Sequence, residues 1–406
     1  MRRRGIFPLL AAALLAVTFL LTGISPAHAA PPAHPDADPF YAEPAGLAAA
    51  ANGAVLKSRS IALFGLPLPV QTWQLQYRTT DSADRPTAGM TTVLVPNTTW
   101  TGSGARPLLS YQIAEDSLGT RCAPSYTLRG GLPVGLNTLT DMPFIAAALL
   151  RGWAVVISDY EGPESRFLDG VNSGRGVLDG IRAARDFAPG GVGAASPIGA
   201  YGYSGGAFAT LWAAQLQPAY APDVPFAGVA AGGVPADLPA IARGVEGGVQ
   251  AGLALLIVHT VVRNTPEAGV ADLLNERGRA MLAEDAHACG EELVVKYHGT
   301  RVAEYAAIPD LLGHPAFRAA TARQELGGVA PATPLYLYHS RTDDVIPLAG
   351  FTALVDRYCA QGAAVTASVS ELPGHNPSAV GEFPGASNFL ADRFAGVPAA
   401  SGCPRR

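Results

Sequence analysis

The stretch Gly202-Tyr203-Ser204-Gly205-Gly206 constrains this chain more than any other. It has the G-x-S-x-G form. The run before it, Pro197-Ile198-Gly199-Ala200-Tyr201, is short, apolar and rich in small residues, as a buried strand is. The run after it, Ala207 to Ala214, consists mostly of good helix formers. A serine between a buried strand and a helix is held in a tight, strained turn that exposes its hydroxyl. Gly202 and Gly206 lack the Cβ atoms that would clash where strand and helix pack this closely. In a chain with 46 glycines the pentapeptide alone is a weak signal. The strand–turn–helix context makes Ser204 a nucleophile candidate.

The N-terminus reads as a targeting segment. Arg2, Arg3 and Arg4 precede an apolar run from Ile6 to Leu21, and Ala27-His28-Ala29 forms an A-x-A cleavage site. The run is short for a spanning helix. The expectation is therefore a signal peptide over 1–29 and an exported mature chain over 30–406, with no integral membrane segment after processing. Val249 to Val262 is apolar but too short to span, and reads as a buried helix. Hydrophobic residues make up 49% of the chain, enough for a large core. A net charge of −5 argues against a nucleic-acid partner held by charge. Four cysteines, Cys122, Cys289, Cys359 and Cys403, suggest two disulfides in an exported protein. Their spacing leaves three pairings open. None forms C-x-x-C, so no zinc site is expected.

Trp73, Leu75 and Tyr77 alternate with polar residues and predict a half-buried strand; Thr91 to Val95 predicts a second, with a turn at Asp81 to Pro86. Buried strands are expected at Pro107 to Ile113, Trp153 to Ser158 and Phe226 to Ala231, and a helix at Gly176 to Phe187. From Leu335 the rhythm resumes: strand to His339, helix Leu348 to Ala360, strand Ala364 to Glu371. Antiparallel strands followed by alternating β and α indicate an α/β sheet flanked by helices. Residues 233–330 interrupt that rhythm and are too long for a loop, so they read as an inserted, mainly helical cap.

A serine hydroxyl needs a base. On sheets with this turn the partners follow in the order Ser, acid, His. Among the eight histidines, only His375 follows an acid placed at a strand end. It lies in the breaker-rich loop Glu371 to Pro377. The acid belongs one strand–helix unit earlier, where Asp343 and Asp344 both qualify and the other would cap the next helix. A backbone oxyanion donor is expected at Gly205, after the nucleophile, and another in Ala114 to Ser117. Those four residues alone do not say which.

At this point the chain resembles the secretory lipase family, the fungal lipase A type with its bacterial relatives. The residues that carry the resemblance are Asp38-Pro39-Phe40-Tyr41, Tyr111-Gln112 through Glu115-Asp116-Ser117, Cys122 to Tyr126, Asp159 to Pro163 and Leu178 to Ala183. The resemblance implies an α/β-hydrolase with a helical cap acting on acylglycerols and simple esters. It implies the triad Ser204, Asp343 and His375, an oxyanion hole from the N–H groups of Asp116 and Gly205, and disulfides Cys122–Cys289 and Cys359–Cys403. No cofactor and no metal are implied. Asp159 and Glu161 look catalytic at a strand end but read as structural, because the triad is complete without them.

The resulting expectation is a secreted lipase or carboxylesterase meeting lipid or small esters, at a lipid–water interface among other places. A serine peptidase or acyltransferase on the same triad is the alternative. A secreted binding protein on a dead hydrolase fold is a third reading, which a missing triad member would favour.

Overall fold

The computed structural model describes residues 31–132, 135–400 and 402–403. The expected signal segment lies outside them. Aliphatic and β-branched runs bounded by Pro, Gly and Asp form the strands. They are β1 (Val55–Ser60), β2 (Val70–Thr80), β3 (Pro86–Pro96), β4 (Leu108–Gln112), β5 (Ala154–Ser158), β6 (Ile198–Tyr203), β7 (Phe226–Gly232), β8 (Leu335–Ser340) and β9 (Val365–Ser370). All pair in one sheet, in the order β1-β2-β3-β5-β4-β6-β7-β8-β9. β1, β2 and β3 are antiparallel, as is the β3–β5 pair. From β5 onward every pairing is parallel.

The longer helices before β7 are α1 (Leu136–Leu150), α2 (Gly170–Asp186) and α3 (Gly205–Tyr220). Between β7 and β8 lie α4 (Leu238–Val245), α5 (Ala251–Asn264), α6 (Glu276–Glu284), α7 (Gly290–Lys296) and α8 (Pro315–Ala322). α9 (Leu348–Ala360) joins β8 to β9, and α10 (His375–Phe394) follows β9. Strand periodicity sends alternate side chains to opposite faces. Ala154 and Val156 of β5 join the core that holds Ile181 of α2 and Phe208 of α3. Val155 and Ile157 join the opposite core, with Ile145 of α1 and Leu390 of α10. With both faces covered, the parallel strands read as continuous apolar runs.

Several expectations change on contact with the fold. β2 is not half-buried: Gln74 and Gln76 are fully buried. The Gln76 side-chain amide donates to the carbonyls of Tyr41 and Ala42 at 3.0 and 3.1 Å. The Gln74 amide donates to Ser125 O. Segments remote in sequence cover that face, so its polar pattern marks buried hydrogen bonds rather than solvent. α2 begins at Gly170, six residues earlier than the periodicity suggests, because the Asp169 carboxylate accepts the Asn172 N–H at 3.2 Å. β1 and α1 were not expected. His375 opens a helix rather than sitting within a loop.

The turn at Ser204 is set by close packing. A Cβ on Gly202 would lie 2.2 Å from the Gly206 carbonyl oxygen, and one on Gly206 would lie 2.0 Å from the Gln112 carbonyl oxygen. Both contacts are with main chain, which cannot turn aside. Gly206→Ala is therefore expected to lower the unfolding free energy by roughly 3 kcal/mol, the upper end of ordinary overpacking. The measurement is the urea midpoint at unchanged slope. A loss under about 0.5 kcal/mol, the range of an ordinary surface substitution, would mean that strand and helix have room to separate.

Candidate active site

Ser204 links β6 to α3 with φ 55° and ψ −125°. A positive φ is uncommon for a residue with a side chain. Here the Gly202 and Gly206 contacts and the bond from Ser204 N–H to Gly232 O at 3.0 Å hold it. Gly205 and Gly206 open α3, so their N–H groups have no intrahelical acceptor.

β8 delivers Asp343. Its Oδ1 accepts the N–H groups of Val345 and Ile346 at 2.9 and 2.7 Å, which fixes the carboxylate. Its Oδ2 is 2.8 Å from His375 Nδ1. Burial pushes the Asp343 carboxyl up, but the bond to His375, the charge of that ring and the two backbone donors outweigh it, leaving it below its ordinary value. Asp344 does not cap α9, contrary to expectation. Its Oδ1 accepts the His375 backbone N–H at 2.8 Å and so holds the start of α10. The Tyr203 hydroxyl donates to His375 O at 2.6 Å, and its ring lies against the imidazole with centroids 4.8 Å apart.

A second imidazole approaches the same carboxylate: His339 Nε2 is 3.7 Å from Asp343 Oδ2. That nitrogen also lies 2.9 Å from Ile346 O, and burial pushes the ring toward its neutral form. His339 is fully buried, whereas His375 and Ser204 both line an open cavity of about 370 Å³. Among the described residues no hydrogen bond joins the Ser204 hydroxyl to His375. Such bonds are often open before substrate is bound.

The loop after β4 supplies Asp116, with φ 43°. Three devices hold it. Glu161 accepts the Ser117 hydroxyl at 2.9 Å and its N–H at 3.3 Å. Glu115 accepts the Tyr160 N–H at 2.7 Å. The Cys122–Cys289 disulfide ties the loop to α7, where Leu118 N–H meets Ala288 O at 2.9 Å. Arg263 of α5 adds a clamp that the sequence did not announce: it donates to Leu118 O at 2.9 Å, and to Glu164 O and Ser165 O at 3.1 Å each. Asp159 accepts the Ser125 N–H at 2.8 Å, away from Ser204. The second disulfide, Cys359–Cys403, joins α9 to the C-terminal segment.

The Asp116 carboxyl points at the turn. A Cβ on Gly205 would lie 2.0 Å from its Oδ1, which is buried without a hydrogen bond. Burial raises this carboxyl to about 7; the His375 charge opposes the shift and Glu291 adds to it. Asp141, in the same cavity, is raised by burial to about 8. Ser204 also lines a second, largely apolar cavity of about 40 Å³, walled by Phe167, Leu238, Ile241, Leu253 and Ile257 together with Asp116 and Gly205. Ser204 thus shares one cavity with the oriented His375 imidazole and another with Gly205, and Asp116 lines both.

Sheet order and turn together define an α/β-hydrolase. The chain matches the secretory lipase family over residues 131–402. It is 32% identical over 398 residues to Lipase 6 of Candida albicans, covering 91% of this chain and 83% of that protein. It is 37% identical over 377 residues to a probable inactive lipase of Mycobacterium tuberculosis, covering 90% and 84% respectively. It superposes on the crystal structure of Candida antarctica lipase A in its closed state with a TM-score of 0.85 and 29% identity, over 92% of this chain and 89% of that one. The chain belongs to the secretory lipase family. No helix among the described residues is long and apolar enough to cross a membrane.

The raised Asp116 carboxyl has a consequence for stability. Its ordinary value is 3.8 and its folded value about 7. Between them the folded chain holds a proton that the unfolded chain has lost, so this group favours folding most below the lower value and least above the upper one. Stability is expected to fall as pH rises across that window, and Asp116→Asn should flatten the fall. Unfolding midpoints measured across the window check this. The same slope in both proteins would place the titration elsewhere.

Proposed function

We propose that the chain is a secreted ester hydrolase of lipase or carboxylesterase type that works through an acyl-enzyme on Ser204. The observation that carries the reading is His375. Its Nδ1 lies 2.8 Å from the Asp343 carboxylate, and it shares a cavity with Ser204. With Nδ1–H donating to Asp343, Nε2 is left unprotonated and able to take the Ser204 proton. Ser204 Oγ then attacks the ester carbonyl. The oxygen of the tetrahedral intermediate is met by the N–H groups of Asp116 and Gly205. The imidazolium returns its proton to the departing alcohol, and water, activated by the same ring, releases the acid.

This proton path assigns the cavities. The alcohol leaves on the His375 side, into the open cavity. The acyl chain lies opposite, in the apolar cavity between α4, α5 and Phe167. Each methylene buried there adds about 0.8 kcal/mol of binding. The mouth of the open cavity carries exposed Leu136, Val295 and Val380, an apolar rim that suits a lipid–water interface. Residues 233–330, which supply α4, α5 and α7, act as the cap.

Two other readings are weaker. A peptidase acting on free amines needs an anionic anchor. Burial pushes the Asp116 and Asp141 carboxyls in the cavity up toward their neutral forms, to about 7 and about 8. A dead hydrolase would lack a reacting group, whereas Ser204, Asp343 and His375 are all present. The word inactive belongs to the name of one relative and is not carried over.

Two outcomes are expected. First, a fluorophosphonate probe labels Ser204, and Ser204→Ala abolishes labelling and ester turnover. Asp343→Asn lowers kcat by about 10⁴ through the wrong imidazole tautomer, while Asp344→Asn, which keeps an acceptor for His375 N–H, is mild. The reverse order of the two asparagine variants, with both folded, would exchange their roles. Second, kcat/KM on 4-nitrophenyl esters rises as the acyl chain grows from acetyl toward medium length, tributyrin is hydrolysed, and a dipeptide anilide is not. A steady decline from acetate upward would restrict the enzyme to small esters, and efficient anilide cleavage would make it a peptidase.

A further inference from the structure

Asp343 rides on the segment that leaves β8 at Ser340 and enters α9 at Leu348. The near limb of that segment is held by backbone bonds. Arg341 N–H donates to Ser370 O at 2.9 Å, and Thr342 O accepts the Gly374 N–H at 3.2 Å. The far limb carries Val345 and Ile346, whose N–H groups fix Asp343 Oδ1. Its tie back to β8 is a side chain: His339 Nε2 lies 2.9 Å from Ile346 O.

A carbonyl oxygen only accepts, so the proton of this bond sits on Nε2. The same nitrogen is 3.7 Å from Asp343 Oδ2, beyond hydrogen-bond reach. That oxygen is therefore left to His375 Nδ1, which lies 2.8 Å from it. Phe351 of α9 stacks on the His339 ring, with centroids 5.0 Å apart and planes inclined by 23°, and fixes its plane. One side chain thus braces the turn from strand to helix.

The chemistry of the position restricts what can stand there. The His339 and Asp343 side chains are both closed to solvent. A lysine or arginine would set a permanent cation beside Asp343 and compensate the charge that His375 needs. An aliphatic side chain would pack but leave Ile346 O without its donor. Burial pushes the His339 ring toward its neutral form and the charge of His375 adds to this, against the Ile346 bond and the Asp343 charge. A neutral imidazole donates to the backbone without discharging the carboxylate.

We infer that His339 is a positioning residue: its Nε2–H holds Ile346 O, and through it the two backbone donors that keep the Asp343 carboxylate aimed at His375. Its effect on turnover rests on the ester-hydrolase reading above.

The test compares the wild-type chain with His339→Phe and His339→Gln. Phenylalanine keeps the ring against Phe351 and removes the donor; glutamine sets an amide N–H near the place of Nε2. On 4-nitrophenyl butanoate, His339→Phe should lower kcat by about 10²-fold, the cost of a misplaced reacting group, while KM stays within about twofold. His339→Gln should recover most of the loss. The low-field proton resonance of the His375–Asp343 bond should persist in the wild type and His339→Gln and vanish in His339→Phe. In the wild type, imidazole nitrogen shifts should show His339 neutral and protonated at Nε2. Protonation at Nδ1 overturns the role whether or not the variants fold. So does a His339→Phe kcat within about threefold of wild type with the resonance intact, or an equal loss in both variants. A rise in KM alone also overturns it, and would make His339 a support for the cavity that Val345 and Ile346 line. Absence of ester turnover by the wild type, with the Nε2–H tautomer and the resonance behaving as expected, instead sinks the ester-hydrolase reading and leaves the brace standing.

Discussion

The contact between the start of α3 and the end of β4 is the constraint on which the rest depends. Gly206 lies against the Gln112 carbonyl with no space for a Cβ. Thr210, one turn along α3, donates to Gln112 Oε1 at 2.7 Å, so the side chain of the same β4 residue grips the helix. A helix that starts this close to its neighbouring strand leaves one residue to reverse the chain. Ser204 takes the positive φ that the reversal demands. The geometry that exposes its hydroxyl also leaves the first amides of α3 unpaired and facing the cavity. The reversed backbone at Ser204 and the unpaired first amides of α3 are thus two results of one packing contact.

The second half of the site is not a property of the sheet. Asp116 reaches the turn on a loop held from outside by the segment between β7 and β8. Gly290 at the start of α7 packs so tightly that a Cβ would lie 2.4 Å from Asp116 O. The Cys122–Cys289 bond and the Arg263 clamp close the same junction from two sides. Glu115 and Glu161 brace it from below. Burial pushes both carboxyls above their ordinary range, with the charge of Glu161 adding to the shift of Glu115 and that of Asp116 to the shift of Glu161. The segment between β7 and β8 therefore walls the apolar cavity with α4 and α5, and its disulfide and arginine hold the Asp116 loop.

What the sequence disclosed was local. The elbow declares itself in five residues and their flanks. α9 runs over the residues its periodicity predicts because proline and a glutamine–glycine turn bound it. What it did not disclose depends on contacts between distant segments. Gln74 and Gln76 looked solvent-facing because their partners, Ser125 and Tyr41, lie far away in the chain. α10 was hidden by Pro377 and Pro384, since prolines read as breakers unless the helix start and a packed face tolerate them. The choice of Asp343 over Asp344 came from resemblance rather than from local pattern. Only the folded chain separates the two, one carboxylate on the imidazole and the other on the backbone of the same residue.

The central claim is that the loop after β4 and the turn that ends β6 converge on the oxygen of a tetrahedral intermediate at Ser204. A crystal structure of the protein after reaction with an alkyl phosphonate ester tests it most directly. The account predicts phosphorus bonded to Ser204 Oγ, with the phosphoryl oxygen within about 2.7–3.1 Å of the backbone nitrogens of both Asp116 and Gly205. An adduct whose phosphoryl oxygen faces away from Asp116, or one formed on any other residue, would contradict it.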